Sequence, residues 1–208
     1  NAKDYAWGGA KYNLGNGIDA IGVADLINSL IAVKKLVFDE KKVTMQRLLD
    51  ALDANFEGYD EVHYLLSKAP KFGNGIPYVD QIVDQALIFC SDVLHAYIGV
   101  CGTPLITAAA TITANVPLGY GVGALPGGRL ANTPLAEGGI SPYQGRNQNG
   151  PTATMRSVAG LTHTKLTNGS VLNMRFDPNA LKDRAGMEKF TDLLRAYLLG
   201  GGFFVQFN

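Results

Sequence analysis

The texture of the chain changes at Gly99. Before it, apolar residues recur at helical spacing with few glycines or prolines; after it, short runs rich in Ile, Thr, Ala and Val alternate with Gly- and Pro-punctuated turns. A chain of that pattern has to pack helices against strands, so the fold class is α/β with a helix-rich first half. Glycine, with 25 of 208 residues, concentrates in Gly119–Gly169, which implies tight turns and close backbone approach there.

The periodicity predicts helices over Ala20–Phe38, Met45–Phe56 with Thr44 as N-cap, and Tyr59–Lys68 ended by Pro70. A longer helix runs from Pro77, placed in its first turn, to about Tyr97. Nine apolar positions on it, Val79 to Tyr97, predict burial on most sides, with Cys90 as a small apolar filler. Leu105–Leu118 reads as a buried strand with an approach loop. Asn168-Gly169 predicts a hairpin turn between Thr164–Thr167 and Ser170–Asn173. A last helix, Gly186–Leu199, ends at three glycines and feeds an apolar strand, Phe203–Phe207, whose partner is expected outside the chain. With no starting Met and a strand at its end, the sequence reads as cut at both ends.

Composition excludes several classes. Eighteen basic and 18 acidic residues, well mixed, leave no electrostatic footprint for nucleic acid or an anionic membrane. Val93–Leu118 is apolar, but Gly99, Gly102 and Pro104 break it, so no membrane span is read there. No signal peptide opens the chain, two cysteines make no disulfide scaffold, and the sequon at Asn168 carries little weight; the cytoplasm is the default.

Candidate chemistry is thin. His63, His95 and His163 lack metal-ligand spacing, so no metal site is read. Gly121-Val122-Gly123 begins like a dinucleotide fingerprint but meets Pro126 where a glycine belongs, and Gly127-Gly128-Arg129 lacks the P-loop ending. Gly139-Ile140-Ser141-Pro142-Tyr143 fails as a nucleophile elbow at its last position. Cys101 has no partner base nearby, and Asp39-Glu40, Glu57 and Asp60-Glu61 read as solvated surface.

A series of short motifs speaks more clearly. Gly8-Gly9-Ala10-Lys11-Tyr12-Asn13, Ala69-Pro70-Lys71-Phe72-Gly73-Asn74, Gly123-Ala124-Leu125-Pro126-Gly127-Gly128-Arg129, Ile140-Ser141-Pro142, Gly150-Pro151-Thr152-Ala153 and Val205-Gln206-Phe207-Asn208 follow one another in order. Together they resemble the glycyl radical enzymes related to pyruvate formate-lyase, essentially end to end. The resemblance implies a ten-stranded β/α barrel of two half-barrels, with residues 1–208 a segment of that single domain. It implies an oxygen-sensitive radical lyase in which a cysteine becomes a thiyl radical and a glycine stores the radical, sealed in a dry core.

The family's Gly-Cys-x-Glu and Arg-Val-x-Gly-Tyr motifs do not occur in this sequence, so no catalytic residue is assigned and both loops are expected outside it. No cofactor is expected on this segment itself. The glycyl radical would be installed by a radical-SAM activating enzyme, and the other implied partners are a small-molecule substrate and a second copy of the protein. In diol dehydratases of the family a Tyr after an Asn-Val pair helps bind substrate hydroxyls. Here Asn115-Val116 precedes Pro117-Leu118, which makes Val116, Pro117 and Leu118 the substrate-pocket candidates. A substrate hydroxyl unpaired there would cost about 1–3 kcal/mol, so the reading leans to arylacetate decarboxylation. Diol or hydroxyproline dehydration, a succinate synthase-like addition, and a radical-free barrel half serving as a binding or structural subunit stay open. A second departure, Gly127 in place of the usual Asp, predicts a loosely hydrogen-bonded loop.

Overall fold

A computed structural model describes residues 2–4, 9, 16–99, 102–110, 113–137 and 139–207. Among these residues four short strands form the spine: β1 (Gly17–Asp19), β2 (Ile106–Ala108), β3 (Val171–Met174) and β4 (Phe204–Phe207). β1 pairs parallel with β2, and β3 parallel with β4 in the register Val171↔Phe204 to Met174↔Phe207. A parallel bridge from Ala109 to Ser170 ties the two pairs together. The strands therefore make one parallel wall in chain order, with helices in every crossover.

Among the described residues there are seven α-helices, α1 (Val23–Val33), α2 (Met45–Asp53), α3 (Asp60–Lys68), α4 (Pro77–His95), α5 (Asn115–Tyr120), α6 (Gly150–Ala159) and α7 (Arg184–Leu199), of which α1, α4, α6 and α7 share a core with the strands. One core packs Ile27, Ile31, Val83, Met155 and Tyr197 from the helices, with Phe72 from the turn before α4, against Leu172 and Met174 of β3. A second, smaller core lies among α1, α2 and α3, where Leu48, Phe56, Val62 and Leu66 close on Ala32 and Leu36.

Local chemistry set several helices as expected. Thr44 Oγ1 accepts from Arg47 N at 3.2 Å, capping α2, and Pro77 opens α4. α2 is shorter than predicted because Asn55 and Phe56 turn the chain with positive φ. The first helix is also trimmed: Lys34–Asp39 winds as a π-helix, and Lys34 and Lys35 pair with Asp39 and Glu40 at 2.6 and 2.8 Å.

Other expectations fail. α4 buries one face, through Val79, Val83, Leu87 and Ser91, while Phe89 and Tyr97 are exposed and Cys90 is an exposed free thiol, not a core filler. Cys101 lies outside the described residues. No hairpin forms at Asn168-Gly169. Residues His163–Lys165 make a 3-10 turn, and the turn after it leads into β3, whose partner is β4. The partner of the last strand is thus within the chain. α6 falls where only turns were expected, although Gly150-Pro151 at its start and Gly160 after it mark a helix. The buried strand read over Leu105–Leu118 is confined to Ile106–Ala108, and Val116, Pro117 and Leu118 sit on α5 instead.

Candidate functional site

α5 is held by its inner face. Asn115 Nδ2 donates to Leu135 O at 3.3 Å and Asn115 O accepts from Leu135 N at 3.0 Å. One turn on, Gly119 lies so close to Thr133 O that a Cβ would collide with it. Residues between these two anchors must face away, so Val116, Pro117 and Leu118 are all exposed. Pro117 is tolerated because it stands in the first turn, where no helical acceptor awaits its N–H; in a buried strand it would have removed a ladder donor. All three are apolar and fan around the outer side of the helix.

Arg129 fixes the loop behind α5. It is 4% exposed, and its guanidinium donates to five carbonyls: Gly119, Val122, Gly123, Thr133 and Pro134. Asp25 of α1 accepts from Ala136 N at 2.6 Å, and burial raises its carboxyl to about 6 against the opposing pull of that amide and of Arg129. His63 Nε2 donates to Gly128 O at 3.0 Å, and Ser29 Oγ accepts from Gly127 N at 3.2 Å. The loop is therefore tightly bonded, contrary to expectation. A Cβ at residue 127 would sit 3.2 Å from Asn28 Cβ, so glycine lets the loop rest directly on α1.

A cleft of about 420 Å³ opens at the C-terminal end of β3, the position where parallel α/β sheets place their ligands. Ser141, Asn147, Thr154 and Asn173 contribute polar groups, and Gly150 and Pro151 at the start of α6 lie at its wall. Arg175 spans toward Glu137 at 3.1 Å. Asn173 Oδ1 is buried without a partner among the described residues. None of Val116, Pro117 and Leu118 lines this cleft. Ser141 is no nucleophile: it is 4% exposed and its Oγ accepts from Asn173 N at 2.8 Å.

The three histidines do not converge. His163 is used up by Ser170, whose hydroxyl meets Nδ1 at 2.7 Å, and by Val158 O, 2.8 Å from Nε2. Among the described residues no group of three or more His, Cys, Asp or Glu could hold a metal ion, and no helix is long and apolar enough to cross a membrane. Asp25, Arg129 and Asn74 escaped the sequence reading as separate features. Each works through partners dozens of residues away or through main-chain carbonyls, which leave no spacing signal.

Parallel strands in chain order, with helices in every crossover and a polar cleft at a strand end, are the arrangement of part of a β/α barrel. The chain belongs to the pyruvate formate lyase-like family, whose model matches residues 1–119, and a glycine radical model matches residues 136–208. It is 41% identical to trans-4-hydroxy-L-proline dehydratase of Clostridioides difficile, over 99% of this chain and 26% of that protein. Its identity to the 4-hydroxyphenylacetate decarboxylase glycyl radical subunit of Clostridium scatologenes is 31%, over 96% of this chain and 25% of the relative. The solved glycerol-bound B12-independent glycerol dehydratase of Clostridium butyricum superposes with a TM-score of 0.92 at 39% identity, covering 97% of this chain and 25% of that one. The chain thus spans about a quarter of the length of these relatives, and its fold is part of the glycyl radical enzyme barrel.

Proposed function

We propose that this chain is a segment of a single barrel domain in a glycyl radical lyase that breaks a C–C or C–O bond of a small organic substrate. The end-to-end superposition on glycerol dehydratase, at a TM-score of 0.92, carries this reading. When present, the glycyl radical and its thiyl relay supply hydrogen-atom abstraction. The residues here form a wall around such chemistry. Val116, Pro117 and Leu118 offer an apolar surface with no thiol, acid or hydroxyl to intercept a radical, and Arg129 and Asn115 hold that surface rigid. A radical-SAM activating enzyme, a second copy of the protein and a cytoplasmic setting belong to the same reading.

Two finer readings have support. Higher identity to the hydroxyproline dehydratase than to the arylacetate decarboxylase favours elimination of a hydroxyl from a small hydroxylated substrate. The hydroxyl-free face at Val116–Leu118 favours the decarboxylation of an arylacetate. Activated longer protein, assayed without oxygen against trans-4-hydroxyproline, diols and arylacetates with products followed by mass spectrometry, separates them. Turnover of none of the three classes, despite a glycyl radical signal by electron paramagnetic resonance, would refute both.

A further inference from the structure

A second cavity, about 250 Å³, lies between the end of α3 and the loop that leads into α6. Lys68, Lys71, Asn74, Arg146, Gln148 and Asn149 are among its lining residues, and no carboxylate is among the described ones. Lys71 is 5% exposed. Its Nζ donates to Leu66 O at 2.6 Å and Ala69 O at 2.9 Å, closing the C-terminus of α3 and leaving one N–H over. Arg146 is half-buried, and its guanidinium has no hydrogen-bond or ion-pair partner among the described residues. Helix capping accounts for Lys71 but leaves Arg146 unexplained.

One side chain fixes both cations. Asn74 Nδ2 donates to Lys71 O at 3.1 Å and to Arg146 O at 2.9 Å, the carbonyls of the two residues themselves. Asn74 Oδ1 accepts from Gln148 N at 2.8 Å and Asn149 N at 3.1 Å. Two segments more than 70 residues apart are thereby clasped so that like charges share one cavity. Held in a poorly solvated place, such charges repel, and burial together with Arg146 lowers the Lys71 ammonium to about 8. An anion between them turns that repulsion into attraction and takes up the spare donors.

We propose that this cavity is an oxyanion site, in which a carboxylate or phosphate group is held by Lys71 Nζ and the Arg146 guanidinium, with Lys68 at the rim. The anion comes either from solution or from an acidic side chain elsewhere in the longer polypeptide.

The test uses that longer protein, with inorganic phosphate titrated against chloride at matched ionic strength and melting temperature as the readout. A solution anion gives a saturable rise in wild type, weakened about tenfold or more in Arg146→Gln. Arg146→Gln is the primary variant because Lys71→Met disturbs the α3 cap. A crystal structure grown with selenate then distinguishes the sources. An anomalous peak between Lys71 and Arg146 supports the solution source; a carboxylate of the polypeptide within 4 Å of both supports the internal one. Water alone between the two cations overturns the proposal. So does a selenate peak with no Arg146-dependent phosphate effect, which marks an adventitious ion only.

Discussion

Arg129 and the Lys71–Arg146 pair are cations drawn into the protein, and they are satisfied in opposite ways. Arg129 spends its donors on five carbonyls of its own loop and has the Asp25 carboxyl near enough to interact with its charge. Lys71 and Arg146 face each other's charge with one ammonium N–H of Lys71 and the Arg146 guanidinium unmatched among the described residues. A closed network of the first kind holds a loop in shape; an open one of the second kind is built to receive something. Saturation, not burial, separates the structural cation from the binding one.

Breaking the closed network has the largest expected effect. Arg129→Met strands five carbonyls, and a loss of about 3–5 kcal/mol is expected in denaturant unfolding. Next comes Asp25→Ala, which leaves the Ala136 N–H unpaired, at about 2 kcal/mol. Burial raises the folded carboxyl to about 6 against the ordinary aspartate value of 3.8, so the folded state binds the extra proton between those values and stability falls as pH rises from about 4 to 6. Asp25→Asn is expected to flatten that slope, which melting curves across pH 4–7 would show.

Asn74→Ala loosens the clasp of the open site. About 1–2 kcal/mol should be lost, together with phosphate stabilisation, by the same melting assay. Lys71 gives the comparison its sharpest form. Its folded pKa of about 8 lies below 10.5, so the folded state binds fewer protons in between and stability rises with pH from about 8 to 10.5. A bound anion favours the charged lysine, and saturating phosphate is expected to shrink that rise. The smallest change in stability belongs to Val116→Thr, within about 0.5 kcal/mol, because the side chain is exposed on α5. Its readout is kinetic, a shift in KM for the turned-over substrate.

What the sequence disclosed follows the range of each interaction. Thr44, Pro77 and Gly200 mark helix ends by contacts within a turn or so of themselves, and these helices were legible. β3 and β4 pair across the whole of α7, and the Asn-Gly step before β3 gives the same local signal in a parallel crossover as in a hairpin. α5 was hidden because Val116, Pro117 and Leu118 are apolar enough for a strand; Pro117 and Gly119 were the overlooked objections. The open cation pair needed Asn74 to bring Arg146 beside Lys71, a contact no pattern of spacing announces.

The two stretches matched separately by family models are bolted together by more than Asn74. Gly75 N donates to Ser157 Oγ at 2.9 Å, Thr154 Oγ1 to Gly73 O at 3.0 Å, and Thr162 N to Asp84 Oδ1 at 2.6 Å. Such cross-ties make the two stretches unfold in concert, so calorimetry should record one endotherm with matching calorimetric and van't Hoff enthalpies. A recombination that swaps residues 136–208 alone between relatives must carry the matching 73–84 loop and helix with it.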